Sequence, residues 1–126
     1  MNGRRITDLH EEIAKVLIKR LRKNPQSAMM SYGELCKLVG NRTDPRTVAG
    51  YIGDLSVWCY EIGAPMISAL IYNKESNCPG KGFFTLYSDL YERSVKKGEE
   101  ELVFVEEVKK VFTYKKWERL EKYLGL

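Results

Sequence analysis

Two stretches of the chain have apolar residues at the three- and four-residue steps that are typical of an amphipathic helix. The first follows Thr7, a favourable N-cap, and ends before Pro25. The second follows Asp44 and extends to about Ile62. The apolar positions are Leu9, Ile13, Val16, Leu17 and Leu21, and then Val48, Tyr51, Ile52, Leu55, Trp58, Cys59 and Ile62. Both stretches are therefore predicted to be helices with one face in the core.

A shorter helix is predicted just before the second stretch, from Ser31 to Val39. Ser31 and Glu34 have the spacing of a capping box, in which each side chain binds the backbone N–H of the other residue. Gly40 is expected to end this helix, and residues 41–43 then form a turn into the next one. A short helix joined to a longer one by such a turn is typical of a helix-turn-helix.

Two strand-like runs follow the long second helix. Residues 66–72 and 82–87 are rich in apolar and aromatic side chains, and residues 73–81 between them are rich in turn-forming residues. This pattern predicts a β-hairpin of the kind that forms the wing of a winged helix, with residues 28–30 as a candidate third strand. The predicted fold class is α+β and mostly helical, a winged helix-turn-helix with a β-hairpin wing and additional C-terminal helices.

The C-terminal part of the chain has periodic apolar residues and is also predicted to be helical. Helices are expected to begin at Ser88 and at about Thr113. The length of 126 residues suits one domain with its own core. We therefore predict a single domain, residues 1–126, with a winged-helix core at about residues 7–87 and a helical extension at residues 88–126.

Positive charge is concentrated in the N-terminal part of the chain. Residues 1–50 hold ten Lys/Arg against five Asp/Glu, whereas residues 88–126 hold nine of each. A basic surface is typical of proteins that bind nucleic acids. No apolar run reaches the ~20 residues of a membrane span, and residues 1–5 do not lead into the apolar segment of a signal peptide. We expect an intracellular, cytoplasmic protein that binds no membrane.

The sequence has few groups suited to catalysis or metal binding. Its cysteines are Cys36, Cys59 and Cys78, its one histidine is His10, and their spacing fits neither a zinc site nor a disulfide framework. The first two cysteines are expected to be buried thiols on helices, and Cys78 lies in a predicted loop. Gly-rich phosphate-binding motifs are absent. We predict no catalytic residues, no metal and no cofactor.

The candidate DNA contacts lie on the predicted turn, the helices on either side of it and the wing loop. They are Tyr32, Arg42, Arg46, Thr47, Gly50, Lys74 and Lys81. The two lysines flank the loop, where they either contact phosphates or lie in solvent. Gly50 and Gly53 are each about 1 kcal/mol less favourable than Ala inside a helix. They indicate that something large lies close to this helix, either another helix of the protein or a nucleic-acid backbone.

The central stretch resembles the DNA-binding domain of the O6-alkylguanine DNA alkyltransferases and the alkyltransferase-like proteins. The family pattern is Ser-Tyr-Gly-x-(Leu/Ile)-Ala, then Gly, then Arg-x-Val-Gly. The corresponding segments of this chain are Ser31-Tyr32-Gly33-Glu34-Leu35-Cys36, then Gly40, then Arg46-Thr47-Val48-Ala49-Gly50, with about two extra residues in the turn. The resemblance covers residues 29–53 well and residues 64–87 loosely, about a third of the chain.

This resemblance implies a helix-turn-helix that works from the minor groove of double-stranded DNA. It implies that Tyr32 helps to rotate a phosphate and that Arg46 fills the gap left by a flipped base. Small residues such as Ala49 and Gly50 would let the helix lie close to the duplex. The family's reactive Pro-Cys-His-Arg has no counterpart here, because residues 65–74 contain neither Cys nor His. The resemblance therefore implies a DNA binder without alkyl-transfer activity.

The sequence leaves two functions open. The first is non-catalytic DNA binding, either alone or as the recognition partner of a nuclease or modification enzyme. The second is a small phage- or defence-related protein that binds and inhibits or regulates a protein partner through the same fold. Eight Tyr, four Phe and two Trp suit both, because aromatic side chains serve cores and interfaces alike.

Overall fold

The computed structural model describes residues 5–126, in which six α-helices pack around a two-stranded parallel sheet. The elements are α1 Asp8–Lys23, β1 Met30–Ser31, α2 Tyr32–Leu38, α3 Pro45–Glu61, β2 Ile71–Tyr72, α4 Lys81–Tyr91, α5 Glu100–Thr113 and α6 Glu118–Leu124. The α+β, mostly helical fold class is confirmed. No helix within this part of the chain is long and apolar enough to cross a bilayer. The prediction that the chain has no signal peptide rested partly on residues 1–4. These four residues lie outside the described part of the chain.

Local capping starts α2 and α3 where the sequence predicts. The Ser31 hydroxyl accepts a hydrogen bond from the backbone N–H of Glu34 at 3.1 Å. The Asp44 carboxylate accepts one from the backbone N–H of Thr47 at 2.9 Å. Gly40 follows α2 with a φ of 75°, a conformation that glycine adopts without strain. The predicted order of short helix, turn and long helix is confirmed.

The predicted β-hairpin wing is wrong. Residues 82–87 belong to α4, where Phe83 and Tyr87 are four residues apart and are both buried on one helix face. Of the first predicted strand, only Ile71–Tyr72 form a strand, β2, which pairs in parallel with β1 rather than with a hairpin partner. Residues 67–70 form a single 3₁₀ turn with every side chain buried. Residues 28–30 were predicted as a third strand. This is confirmed for Met30, which lies in β1 and pairs with Ile71, although the two strands are parallel.

The C-terminal helices pack on the rest of the molecule within one hydrophobic cluster. The helix α5 contacts the turn at residues 67–70, and α6 contacts α1 and α3. Two predicted helix starts in this part are wrong. Ser88 lies inside α4, and Thr113 is the last residue of α5, where its hydroxyl donates to the Lys109 carbonyl.

A buried carboxylate joins α5 to the segment that leads into β2. Glu107 is 1% exposed, and its Oε2 accepts hydrogen bonds from the Met66 backbone N–H at 2.8 Å and from the Tyr91 hydroxyl at 2.7 Å. Burial, together with the bond to this carboxylate, raises the pKa of Tyr91. The Lys110 Nζ lies 3.6 Å from the other carboxylate oxygen. The helix α5 therefore holds the segment that contains Ser68, which borders the cavity described next.

Candidate nucleic-acid interface

A cavity of about 570 Å³ lies beside α3. Ligand-binding clefts are typically about 300–1,000 Å³. Its lining is shared by α2, α3, the 3₁₀ turn, the loop after β2 and α4. Its lining residues include Tyr32, Arg46, Ala49, Gly50, Gly53, Asp54, Ser68, Gly80, Phe83 and Leu86. Three of the seven residues predicted to contact DNA are therefore found around one concavity.

Tyr32, the first residue of α2, connects this helix to the start of α4. Its hydroxyl accepts a hydrogen bond from the backbone N–H of Gly80 at 3.0 Å. Gly80 precedes α4, and its carbonyl accepts from the Phe83 N–H at 3.1 Å. A hydroxyl that accepts one hydrogen bond can still donate another. Tyr32 therefore holds the loop in place and can present a donor to a ligand in the cavity.

Arg46 lies in the first turn of α3 and is exposed at the edge of the cavity. The turn is fixed by the carboxylate of Asp44, which accepts from both the backbone N–H and the hydroxyl of Thr47, each at 2.9 Å. These hydrogen bonds hold the pKa of Asp44 below its ordinary value. The rigid first turn thus fixes the backbone from which the Arg46 guanidinium extends.

Neither helical glycine is needed for close packing, since Gly50 faces open space and Gly53 has ordinary room beside α4. A Cβ added at Gly50 would meet no atom within 4 Å, and one added at Gly53 would lie 3.8 Å from a methyl group of Leu86, an ordinary contact. Close packing against another helix of the described residues therefore does not require either glycine. Together with Ala49, they give α3 a wall of small residues along the cavity.

Ser68, which is held by the buried Ser56 behind it, forms a polar part of the cavity wall. Ser68 is 4% exposed, and its backbone N–H donates to the Ser56 hydroxyl at 2.9 Å. The Ser56 hydroxyl in turn donates a hydrogen bond to the Ser68 hydroxyl, and the two oxygens are 2.6 Å apart. The wall therefore combines a buried hydroxyl from the 3₁₀ turn with apolar surface from Phe83 and Leu86.

Asp54 adds a carboxylate to the same wall and is positioned by a buried histidine of α1. The Nδ1 of His10 accepts a hydrogen bond from the Thr7 backbone N–H at 3.0 Å, and its Nε2 lies 2.9 Å from Asp54 Oδ2. Since Nδ1 is an acceptor, the neutral ring has its proton on Nε2, which donates to the carboxylate. The ring also contacts Tyr51 and Trp58, with centroid distances of 4.7 and 4.9 Å. A rigid aromatic cluster thus orients Asp54.

The other four predicted contacts do not line this cavity. Arg42 is exposed in the turn before α3, where its Nε donates to the Val39 carbonyl at 3.3 Å. Thr47 is engaged with the cap of α3, and Lys74 is exposed in the turn after β2. Lys81 is exposed at the start of α4 and lines a separate, smaller cleft. The structure therefore brings together Tyr32, Arg46 and Gly50 only.

Sequence reasoning missed several lining residues. Asp54 had a readable signal, because positions 46, 50 and 54 are four residues apart and share one face of α3. Ser68, Gly80 and Phe83 had no such signal, since they come from segments whose approach to α3 depends on the tertiary fold.

Within residues 5–126 the structure assembles no metal site, and burial disfavours the thiolate form of two of the three cysteines. No group of three His, Cys, Asp or Glu side chains within residues 5–126 is placed to hold a metal ion. The cysteines are free thiols, with Cys36 and Cys59 buried as predicted and Cys78 half-buried. Burial raises the pKa of Cys36, and it raises the pKa of Cys59 to about 12. The two helical cysteines are therefore unsuited to act as nucleophiles.

Comparisons with protein-family models, with curated proteins and with solved structures found no match for this chain. The function must therefore be argued from the cavity, the charges around it and the helices that border it.

Proposed function

We propose that this protein is a non-catalytic DNA-binding protein in which α2 and α3 act as a helix-turn-helix. In this proposal α3 lies along the minor groove of a duplex, and the neighbouring cavity receives an unstacked nucleotide. The observation that supports it most is the grouping of Tyr32, Arg46 and Gly50 around one cavity of about 570 Å³. The absence of the predicted wing leaves α2 and α3, with the start of α4, as the contact surface.

The lining of the cavity suits a nucleobase. Phe83 and Leu86 offer apolar surface against which a base can pack, and the small residues of α3 leave room for the sugar and phosphate. Asp54 and Ser68 offer hydrogen-bonding groups to the edge of a base. Unstacking a base costs a few kcal/mol, which contacts to the base and the backbone must offset. Arg46, exposed beside the cavity, is placed to occupy the space that the base leaves in the duplex.

The charge distribution supports the same proposal. The excess of basic residues lies within residues 1–50, which contain α1, α2 and the first turn of α3. Positive charge near the phosphates releases counterions and gives binding that weakens steeply with salt. An alkyltransferase-like protein without a reactive cysteine would bind in this way, alone or as the recognition partner of a nuclease or modification enzyme.

Fluorescence anisotropy with a labelled duplex at two salt concentrations tests DNA binding. We expect wild-type affinity to fall steeply with salt, and Arg46→Ala and Tyr32→Phe to bind more weakly. Arg119→Ala, which removes the same charge from the exposed side of α6, is the matched control and should bind like wild type. If the wild type fails to bind at low salt, DNA binding is excluded.

A second comparison tests whether the cavity takes an unstacked base. A duplex with one mismatch should bind more tightly than its fully paired counterpart, because a mismatched base is easier to unstack. Ser68→Ala should reduce this preference and leave the salt dependence unchanged, since Ser68 is buried in the cavity wall and uncharged. Equal affinity of wild type for both duplexes would restrict the proposal to ordinary duplex binding.

A further inference from the structure

The hydrogen bonds behind the wall of the cavity beside α3 determine the role of the Ser68 hydroxyl. The Ser56 hydroxyl is fully buried and accepts from the Ser68 backbone N–H at 2.9 Å. Its own proton is donated to the Ser68 hydroxyl oxygen, 2.6 Å away. Among residues 5–126, no hydrogen bond uses the proton of the Ser68 hydroxyl, and Ser68 lines the cavity. Ser68 is therefore an acceptor toward the core and has a proton left to donate to a ligand.

The Tyr32 hydroxyl supplies a second donor for the same kind of reason. Its oxygen accepts from the Gly80 backbone N–H at 3.0 Å. A backbone N–H can only donate, so the tyrosine must be the acceptor in this hydrogen bond. Within the described part of the chain, no hydrogen bond uses the phenol proton. The lining thus has two hydroxyl groups, one from α2 and one from the 3₁₀ turn, that accept from the protein and can donate to a ligand.

Asp54 adds an acceptor to these two donors. Its carboxylate lies 2.9 Å from the Nε2 of His10, and its side chain is 22% exposed at the cavity wall. A carboxylate has about four lone-pair directions, so it can accept more than one hydrogen bond. A ligand that complements this wall must therefore present two acceptors and an N–H donor.

We propose that the cavity is selective for a base with the edge of thymine or uracil, an inference that rests on the proposed binding of an unstacked nucleotide. This edge has two carbonyl oxygens, O2 and O4, on either side of the N3–H group. The carbonyl oxygens accept from the hydroxyls of Tyr32 and Ser68, and N3–H donates to Asp54. Every hydrogen-bonding group of the edge then has a partner in the wall.

The other bases complement these groups less well. Cytosine has an amino group in place of O4, and its N3 is an acceptor that would face the Asp54 carboxylate. Adenine likewise has an amino group beside an acceptor nitrogen, and guanine has one carbonyl where thymine has two. A site that forms hydrogen bonds with its ligand rejects an analogue that leaves the buried polar groups unpaired. Hydroxyl groups can rotate, so we expect about tenfold discrimination rather than complete exclusion.

Duplexes with one variable base opposite an abasic site test this selectivity, because no base pair has to be broken. Thymine, uracil and cytosine are placed in turn at that position of a labelled duplex. They are pyrimidines of similar size, so the comparison reports on the edge of the base. Anisotropy titrations of the full chain should show thymine and uracil bound about tenfold more tightly than cytosine. Thymine methylated at N3 cannot donate to Asp54 and should bind like cytosine.

Variants of the protein connect this preference to the two hydroxyls. Tyr32→Phe and Ser68→Ala each remove one donor, so each should reduce the preference for thymine over cytosine to about threefold or less. The preference is a ratio within one variant, so a general loss of affinity does not affect it. Tyr60→Phe removes an exposed hydroxyl from the last turn of α3, outside the cavity, and should keep the tenfold preference. Circular dichroism spectra check that each variant is folded.

Free nucleosides separate this inference from the proposed DNA binding, because they have no phosphate. Millimolar thymidine should change the amide chemical shifts of Ser68 and Gly80, and deoxycytidine should change them much less. That result would support the base site even if no duplex binds. Preference for a mismatched duplex without a preference for thymine over cytosine would overturn the inference and leave the proposed function intact. An undiminished preference in both Tyr32→Phe and Ser68→Ala would also overturn it.

Discussion

Gly50 is in a position where a helix gains stability from a larger residue, and yet the chain has glycine there. Alanine is about 0.5–1 kcal/mol more favourable than glycine inside a helix. The added methyl group would meet no atom within 4 Å, so nothing in the folded chain opposes it. We therefore expect Gly50→Ala to raise the free energy of unfolding by about 0.5–1 kcal/mol, as measured by urea denaturation. If α3 lies against a duplex, the same change should weaken DNA binding several-fold.

Gly33→Ala provides the matched control, because it is also a helical glycine but lies in α2 outside the cavity. It should stabilise the protein slightly and weaken duplex binding less than Gly50→Ala does, because Gly33 does not line the cavity. A Gly50→Ala variant that is destabilised, or that is stabilised and still binds DNA as wild type does, would show that the glycine has a different role.

Single residues also show how far the sequence could predict the site. Tyr32, Arg46 and Gly50 were identified from the chain because they lie on two neighbouring helices joined by a recognisable turn. Arg42 and Lys81 were chosen by charge and loop position alone, and charge does not specify which surface a side chain joins. The cavity itself could not be predicted, because α4 reaches it only through the tertiary fold.

Among the secondary-structure elements, α2 and α3 were predicted well because their expected N-caps form, whereas the caps expected at Ser88 and Thr113 do not start a helix. The helices α2 and α3 begin where Ser31 and Asp44 supply side-chain acceptors to backbone N–H groups. In residues 82–87, aromatic content suggested a strand, but the buried Phe83 and Tyr87 have the spacing of one helix face. Residues 66–71 are buried throughout, so their pattern distinguishes neither strand nor 3₁₀ turn.

The attachment of α5 depends on Glu107, and its removal gives an element-level test. Glu107→Ala leaves both the Met66 N–H and the Tyr91 hydroxyl without their acceptor in a buried environment. We expect the free energy of unfolding to fall by about 2–4 kcal/mol, measured by urea denaturation. Glu106→Ala, at the neighbouring exposed position, should change it by no more than about 0.5 kcal/mol. Equal effects of the two variants would mean that this buried contact contributes little.

At the level of the molecule, α3 connects two surfaces of different character. Its first turn lies in the basic part of the chain beside a cavity, and its last turn borders a second cleft that is formed with α4 and α5. The sequence had left DNA binding and protein binding as alternatives. The two clefts share no lining residue, so occupation of one would leave the other accessible.

The C-terminal helices are expected to unfold together with the rest of the chain. Trp58 on α3 and Trp117 before α6 are 1% and 3% exposed and belong to the same hydrophobic cluster. Arg22 of α1 also makes a paired hydrogen bond to Glu121 of α6, at 2.9 and 2.6 Å. The large shared core should make unfolding cooperative. The extension is thus predicted to have no separate transition.

Two single-tryptophan variants test this cooperativity, because each reports on one part of the molecule. Trp117→Phe leaves Trp58 as the fluorescent probe of the core, and Trp58→Phe leaves Trp117 as the probe of the extension. Both replacements cost stability, so the comparison is made within each variant, between tryptophan fluorescence and far-ultraviolet circular dichroism during urea unfolding. We expect the two signals to have the same midpoint in each variant. A Trp117 fluorescence midpoint below that of the helical signal would show that the extension unfolds first and is a separate unit.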